Sequence, residues 1–260
     1  MKLVKSSVEI IPQEFGLSGA YKQIEIAART CYKSEDKICE GSAKRMVDFL
    51  LEKGHYSPLE HGTIYLKVPN GHSIVEWYDV NPYSKVNIVG AYTYITTNAR
   101  VITENECHSD LKYMCEPTKH HEKRVTVRVI CDRGITHEWV RHRTMSFSQE
   151  SSRYCNYSKS KFDSSVTFIK PDWVNEIDIS EFKEDCTVIE NLYFKWLNKG
   201  YTPQLARYFL NTGLKTEMIV TAFVSDWKHF FELRTSNAAH PDIKELAISL
   251  KAKFKENKLI

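Results

Sequence analysis

Arg124-Val125-Thr126-Val127-Arg128-Val129-Ile130-Cys131 alternates, with Val125, Val127 and Val129 on one side and Thr126, Arg128 and Ile130 on the other. A period of two is the signature of a strand with one face in the core. Residues 62–68 (GTIYLKV) repeat it, setting Ile64, Leu66 and Val68 against Thr63, Tyr65 and Lys67. Residues 91–102 (AYTYITTNARVI) are rich in strand formers. On the N-terminal side the period lengthens. Residues 18–32 carry Ile24, Ala27 and Cys31 at helical spacing, and 42–53 read as a second helix, Ser42 capping it and Gly54 stopping it. On the C-terminal side the chain reads as mostly helical. Helices are expected over 185–198 and 203–211, broken at Gly200, and 216–234 is one long apolar-to-amphipathic segment. A last helix has Pro241 one residue inside its start. Strands in the middle and helices at both ends define an α+β class: a central, mostly antiparallel sheet flanked by helical bundles. No repeat or linker-like run divides the chain, so residues 1–260 are expected to form a single domain. The polar stretch 103–122 is expected to be a surface insertion.

Composition narrows the classes. Of 260 residues, 42% are hydrophobic and 27% charged, too apolar for disorder. The 36 Lys and Arg against 33 Asp and Glu leave a net charge of +3, too small to imply nucleic-acid or membrane binding. No stretch approaches the ~18 apolar residues of a membrane helix, and the N-terminus has no apolar core of signal-peptide type. The seven cysteines include no CxxC pair and read as reduced thiols in a cytoplasmic protein. Cys107, His108, Cys115, His120 and His121 fit no common zinc spacing, so no metal is expected. Cys155 reads as a packed thiol rather than a nucleophile.

The chemistry concentrates in residues 137–154 (HEWVRHRTMSFSQESSRY), which follow the alternating strand. Guanidinium groups bind phosphate or carboxylate through a planar fork, and Ser hydroxyls complete such a cradle. A solvated basic face has the same composition, so composition alone leaves both readings open.

The order of residues is more specific. Arg141-His142-Arg143, then Ser151 and Arg153, resembles the signature of the flavin-dependent thymidylate synthases. Residues 54–61 (GHYSPLEH), Thr202 to Arg207 (TPQLAR) and Leu233-Arg234 resemble further blocks of that family, in the same order. The resemblance implies synthesis of dTMP from dUMP, with methylenetetrahydrofolate as carbon donor and NADPH-reduced FAD as hydride donor. It also implies a homotetramer whose active sites are built from more than one subunit. Carried onto this chain, it places Ser57, Glu60, Arg141, His142, Arg143, Gln149, Ser225 and His229 at FAD. It places Glu138, Arg141, Gln149, Glu150, Ser151, Ser152, Arg153 and Arg207 at dUMP, with Arg153 and Arg207 on the phosphate. Arg234 is expected against the uracil ring as the activating group, and His55 near the flavin in a catalytic positioning role.

The chain departs from the family pattern at several of these positions. Ser148-Gln149 stands for a common Asn-Glu, Ser152 for Gly, and Glu138 for Gln. Phe223 and Ser225 stand where many relatives place Asn and Arg, and His229 where Asn is common. Two other functions share these features. One is a flavin enzyme moving a different one-carbon group onto a pyrimidine deoxynucleotide. The other is a nucleic-acid-binding module built on Arg141, Arg143, Arg153, Lys159 and Lys161 with Tyr154 and Tyr157.

Overall fold

The computed structural model describes all 260 residues. The chain runs β1 (Lys2–Val4), β2 (Ser7–Ile11), α1 (Gly16–Tyr32), α2 (Ser42–Glu52), β3 (Thr63–Pro69), α3 (Ile74–Val80), β4 (Lys85–Val89), β5 (Tyr92–Asn98) and α4 (Ala99–Glu104). It continues through β6 (Arg124–Asp132), α5 (Arg133–Trp139), β7 (Ser146–Gln149), β8 (Thr167–Ile169), α6 (Ile179–Asn198), α7 (Pro203–Ala206), β9 (Lys215–Phe223), α8 (Val224–Arg234) and α9 (Pro241–Glu256). The central sheet has strand order β2-β6-β9-β7, antiparallel throughout. A second antiparallel sheet has order β3-β5-β4, and β1 pairs with β8 in parallel. The α+β class follows.

The alternation in β6 does what its period implies. Val125, Val127 and Val129 pack with Met218, Val220 and Ala222 of β9 on one face, in register Val125↔Ala222, Val127↔Val220, Val129↔Met218. Trp227, Phe230 and Phe231 of α8 and Ile243, Leu246, Leu250 and Phe254 of α9 close that face. On the other face α1 and a 3-10 turn over Ser57–His61 lie across β7 and β9.

Four sequence expectations change. The segment 216–234 is not one helical run: β9 occupies its first half, between two strands. Residues 216–223 are all buried, so the alternation that would mark a strand is absent, and an apolar run of that kind is ambiguous from sequence. The strand expected over 91–102 ends at Asn98, whose side chain accepts the Val101 N–H at 3.1 Å and starts α4. Gly41 (φ 71°), not Ser42, stands at the N-cap of α2. Ser42 Oγ instead lies 2.8 Å from Glu25 Oε2 and accepts the Cys39 N–H at 3.0 Å. The helix expected over 203–211 is shorter, α7 giving way to a 3-10 turn at Arg207–Phe209.

The stretch 103–122 is polar but tied down. Tyr78 donates to Asp110 (3.0 Å), Met114 bridges to Leu66, and buried His121 lies 3.1 Å from the Leu66 carbonyl.

Candidate active site

The site is organised by α5. Where β6 ends, the Asp132 side chain accepts the Ile135 N–H at 2.9 Å and caps the helix. Residues four apart share a helix face, so Arg133-Gly134-Ile135-Thr136-His137-Glu138-Trp139 sorts into stripes. Ile135 and Trp139 enter the core. Arg133 and His137 face one cavity, while Gly134 and Glu138 face another.

After α5 the chain turns rather than continuing as helix. The His142 N–H bonds the Trp139 carbonyl and the Met145 N–H bonds the His142 carbonyl, both at 3.1 Å. The turn buries His142 and leaves Arg141 and Arg143 exposed, with no partner in the chain for either guanidinium.

Arg234, the last residue of α8, reaches the same place. Its Nε donates to His142 Nε2 (3.0 Å), its Nη2 to the Glu138 carbonyl (2.8 Å), and its Nη1 pairs with the Glu138 carboxylate. Because Arg234 only donates, His142 Nε2 must be bare and the ring proton sits on Nδ1, which has no partner in the chain. Burial, reinforced by the Arg234 charge, pushes the His142 pKa down to about 4, so the ring is neutral near pH 7. His229 lies alongside, its ring centre 6.4 Å from that of His142.

A second cluster forms where Arg207 Nη1 donates to buried Ser152 Oγ at 3.2 Å. The cavity there, about 330 Å³, is lined by Arg133, His137, Ser152, Arg207, Asn211 and Thr212 among others, with no carboxylate. Beyond the Asn211–Thr212 wall lies a cavity of about 460 Å³ lined by Asp132, Glu138 and Asp242, with Trp173 exposed beside it and no Lys or Arg.

Other sequence-predicted residues are placed differently. Gln149 Nε2 bonds Thr136 and Thr216 hydroxyls (3.4 and 3.1 Å), and the buried Glu150 carboxylate accepts from Tyr157 (3.2 Å) and Lys215 (3.0 Å). These two side chains therefore brace the strand and loop. The Ser151 N–H bonds the Cys31 carbonyl (3.0 Å), and its hydroxyl has no partner in the chain. Arg153 donates to Gln204 (3.2 Å), lies over the Tyr154 ring and does not line the cavity of Arg207. The Ser225 N–H bonds Glu122 (2.9 Å), and Phe223 is buried against the Arg124 guanidinium.

His55 and Ser57 are exposed, while Glu60 pairs with Arg100 (2.6 Å). No hydrogen bond or ion pair joins these three to the Arg234 or Arg207 clusters. Two residues that the sequence reading passed over fix their segment. His61, fully buried, lies 2.8 Å from Thr221 Oγ1 and 3.1 Å from Ser148 Oγ, and burial pushes its pKa down to about 3. Arg124, half-buried, donates to the Glu60 carbonyl (2.8 Å) and Ser146 (3.2 Å), and burial lowers it to about 10. His61 was within the quoted block, and its position just before an alternating strand was the available signal.

The competing features are also resolved in space. Cys155 is buried and its thiol is pushed up to about 12, first by burial and then by Glu150, so it stays protonated. Cys115 and His121 lie 3.8 Å apart, and no three His, Cys, Asp or Glu side chains gather as a metal-ligand group. Tyr157 is core rather than surface, which removes one aromatic from the nucleic-acid reading. No helix is long and apolar enough to cross a membrane.

The model of the thymidylate synthase complementing protein family matches residues 16–76 and 116–257, and the chain belongs to that family. The flavin-dependent thymidylate synthase of Pyrococcus furiosus is 33% identical over 119 residues, 45% of this chain and 48% of that protein. That of Thermococcus kodakarensis is 31% identical over 129 residues, 49% of this chain and 52% of that protein. The chain thus spans about half the length of these curated relatives. The probable flavin-dependent thymidylate synthase of Paramecium bursaria Chlorella virus 1 is 27% identical over 179 residues, 63% of this chain and 83% of that protein. Among solved structures, the UMP/dUMP methylase PolB from Streptomyces cacaoi bound with 5-Br dUMP covers 98% of this chain and 93% of its own, at 17% identity and a TM-score of 0.49.

Proposed function

We propose that the chain makes dTMP from dUMP, with methylenetetrahydrofolate as carbon donor and FAD reduced by NADPH as hydride donor. It acts in the cytoplasm as a homotetramer with shared sites. The observation that carries this reading is the family match over residues 116–257, which holds both arginine clusters.

A flavin suits the donor set around His142. Two exposed, unpaired guanidiniums, Arg141 and Arg143, flank a neutral imidazole with a free Nδ1–H. Such donors complement a pyrophosphate or an electron-rich ring. When bound, the flavin supplies the hydride. His229, exposed beside His142, adds to this donor set, and Ser57 and Ser225, exposed and outside both clusters, join it from this or another copy of the chain. Glu60 acts there through its Arg100 pair, and His55 has a positioning role.

The protein's own groups do the rest. Arg207 and Ser152 hold the nucleotide phosphate, with the Ser151 hydroxyl completing the cradle; Arg153, outside this cavity, joins it from this or another copy of the chain. Gln149 and Glu150 brace it from behind. Arg234 lies against the uracil, where a fixed guanidinium stabilises the ionised N3 and raises electron density at C5. Glu138 keeps that guanidinium in plane. No thiol is needed, in keeping with the protonated state of Cys155.

The cofactor is tested by titrating the purified protein with FAD. Quenching of flavin fluorescence and a shifted absorption band are expected. A protein that carries no flavin as purified and leaves added FAD unperturbed refutes the reading.

A further inference from the structure

We propose that Arg133 and His137, on the face of α5 opposite Arg207, are ligands of a dianionic phosphate monoester, and that Arg133 and Arg207 form its principal clamp. The identification of that monoester with the phosphate of dUMP rests on the function proposed above.

The cavity of about 330 Å³ has two guanidiniums and an imidazole in its lining and no carboxylate. Its volume falls within the ~300–1,000 Å³ of small-molecule sites. Several partly buried cations of this chain are matched by acids: Lys33 and Lys215 pair with Glu217, Lys215 also with Glu150, and Arg234 with Glu138; Arg124 and Lys170 instead bond carbonyls within the fold. Arg133 has no acidic partner. Its only side-chain bond goes from Nη1 to the Glu150 carbonyl at 3.4 Å, leaving most of its donors free. Arg207 has only the neutral Ser152 hydroxyl. Two guanidiniums left in one concave space repel each other until an anion enters. A phosphate with three terminal oxygens satisfies both forks at once.

Position supports the assignment. Arg133 and His137 are four apart on α5 and face the same cavity. Asn211 and Thr212 add an amide and a hydroxyl to the wall. The same wall borders the cavity of Glu138, which holds Arg234. A nucleotide clamped by its phosphate at Arg133 therefore has its sugar and base directed along a wall that ends beside the Arg234 cluster. Arg153, by contrast, is engaged by Gln204 and Tyr154 outside the cavity.

The test compares dUMP with deoxyuridine, which lacks the phosphate, by calorimetric titration of the purified protein, with inorganic phosphate as competitor. Wild type is expected to bind dUMP at least tenfold more tightly than deoxyuridine, and phosphate to compete with dUMP only. Arg133→Ala is expected to weaken dUMP about ten- to a hundredfold and to leave deoxyuridine unchanged. His137→Asn is expected to weaken dUMP severalfold, also without effect on deoxyuridine. If Arg133→Ala does not fold, Arg133→Lys decides: loss of the planar fork must still weaken dUMP severalfold. Wild-type affinity for dUMP in folded Arg133 variants overturns the inference and leaves the proposed function standing. A protein that ignores dUMP but binds inorganic phosphate in an Arg133-dependent way keeps the site and overturns the nucleotide reading. Equal weakening of dUMP and deoxyuridine also overturns the inference, because the residue then acts on the fold rather than on phosphate.

Discussion

Two cavities meet at the Asn211–Thr212 wall, and they carry opposite charge. One has Arg133, His137 and Arg207 and no acid; the other has Asp132, Glu138 and Asp242 and no Lys or Arg. A helix of only seven residues contributes to both. Within α5 the contrast follows from spacing: residues 133 and 137 share one stripe, and 134 and 138 the next; Arg207 on one side and Asp132 and Asp242 on the other add to it from outside the helix. Its consequence is directional. Of the two cavities only the first suits an anionic group, and the hydrogen-bond donors of a heterocycle have acceptors on the other side, where Arg234 is held by Glu138.

The largest expected effect comes from removing the group at the far end of that direction. Arg234→Ala should lower dTMP formation by about 10²–10³, the usual consequence of losing one preorganised donor, while NADPH-driven flavin reduction persists. Near-normal dTMP formation would show that the acid-lined side does not face the reacting ring.

Arg207→Ala should raise KM for dUMP more than it lowers kcat, because a phosphate contact is made already in the ground state. The loss of a charge-assisted bond is worth roughly 1.5–3 kcal/mol. An unchanged KM would remove the cation-lined cavity from substrate binding.

Acid should weaken the fold through its buried imidazoles, those of His142 and His61 above all, with His121 lowered by burial as well. Unfolded histidine titrates near pH ~6.5, whereas His142 and His61 are held neutral down to about 4 and about 3. The unfolded chain therefore binds protons first. Stability is full above about pH 6.5 and falls as pH drops through that window, by an amount on the order of a few kcal/mol. Denaturant unfolding between pH 7.5 and 4.5 should show this slope, and His61→Gln should flatten it. An unchanged slope would place the acid sensitivity elsewhere.

The smallest effect should distinguish charge from geometry in the pairing of Glu138 with Arg234. Glu138→Gln retains an oxygen acceptor for the guanidinium and should keep dTMP formation within severalfold. Glu138→Ala, which leaves Arg234 with fewer fixed partners, should reduce it more. An inactive Gln variant would mean that the carboxylate itself takes part in the reaction.

The parts of the fold legible in the sequence were those with one wet face. The strand β6, strand β3 of the second sheet and helix α1 announced themselves by period, and Pro241 marked the start of α9. β9 did not, because it lies between β6 and β7 and is buried on both faces, so its run from Thr216 to Phe223 carries no alternation. The site divides similarly. Arg141-His142-Arg143 and Arg234 were readable as a pattern, but pattern could not say that His142 turns inward while its two neighbours stay exposed. Nor could it say that Gln149 and Glu150 would be engaged by Thr216 and Lys215, contacts made across more than sixty residues of chain. Arg133 and His137 were passed over because each is an ordinary surface residue in sequence. Their significance appears only when Arg207, 74 residues after Arg133, lines the same cavity.

The directed arrangement of Arg207, Arg133 and Arg234 either serves methyl transfer to dUMP or it does not. The direct measurement is an anaerobic assay of the flavin-loaded protein with dUMP, methylenetetrahydrofolate and NADPH, with the product nucleotide identified by mass. The expected product is dTMP, formed only when all three are present, with at least a substantial part of the rate kept by Cys155→Ala. Steady NADPH oxidation with a different pyrimidine product, or with no methylated nucleotide at all, would contradict it.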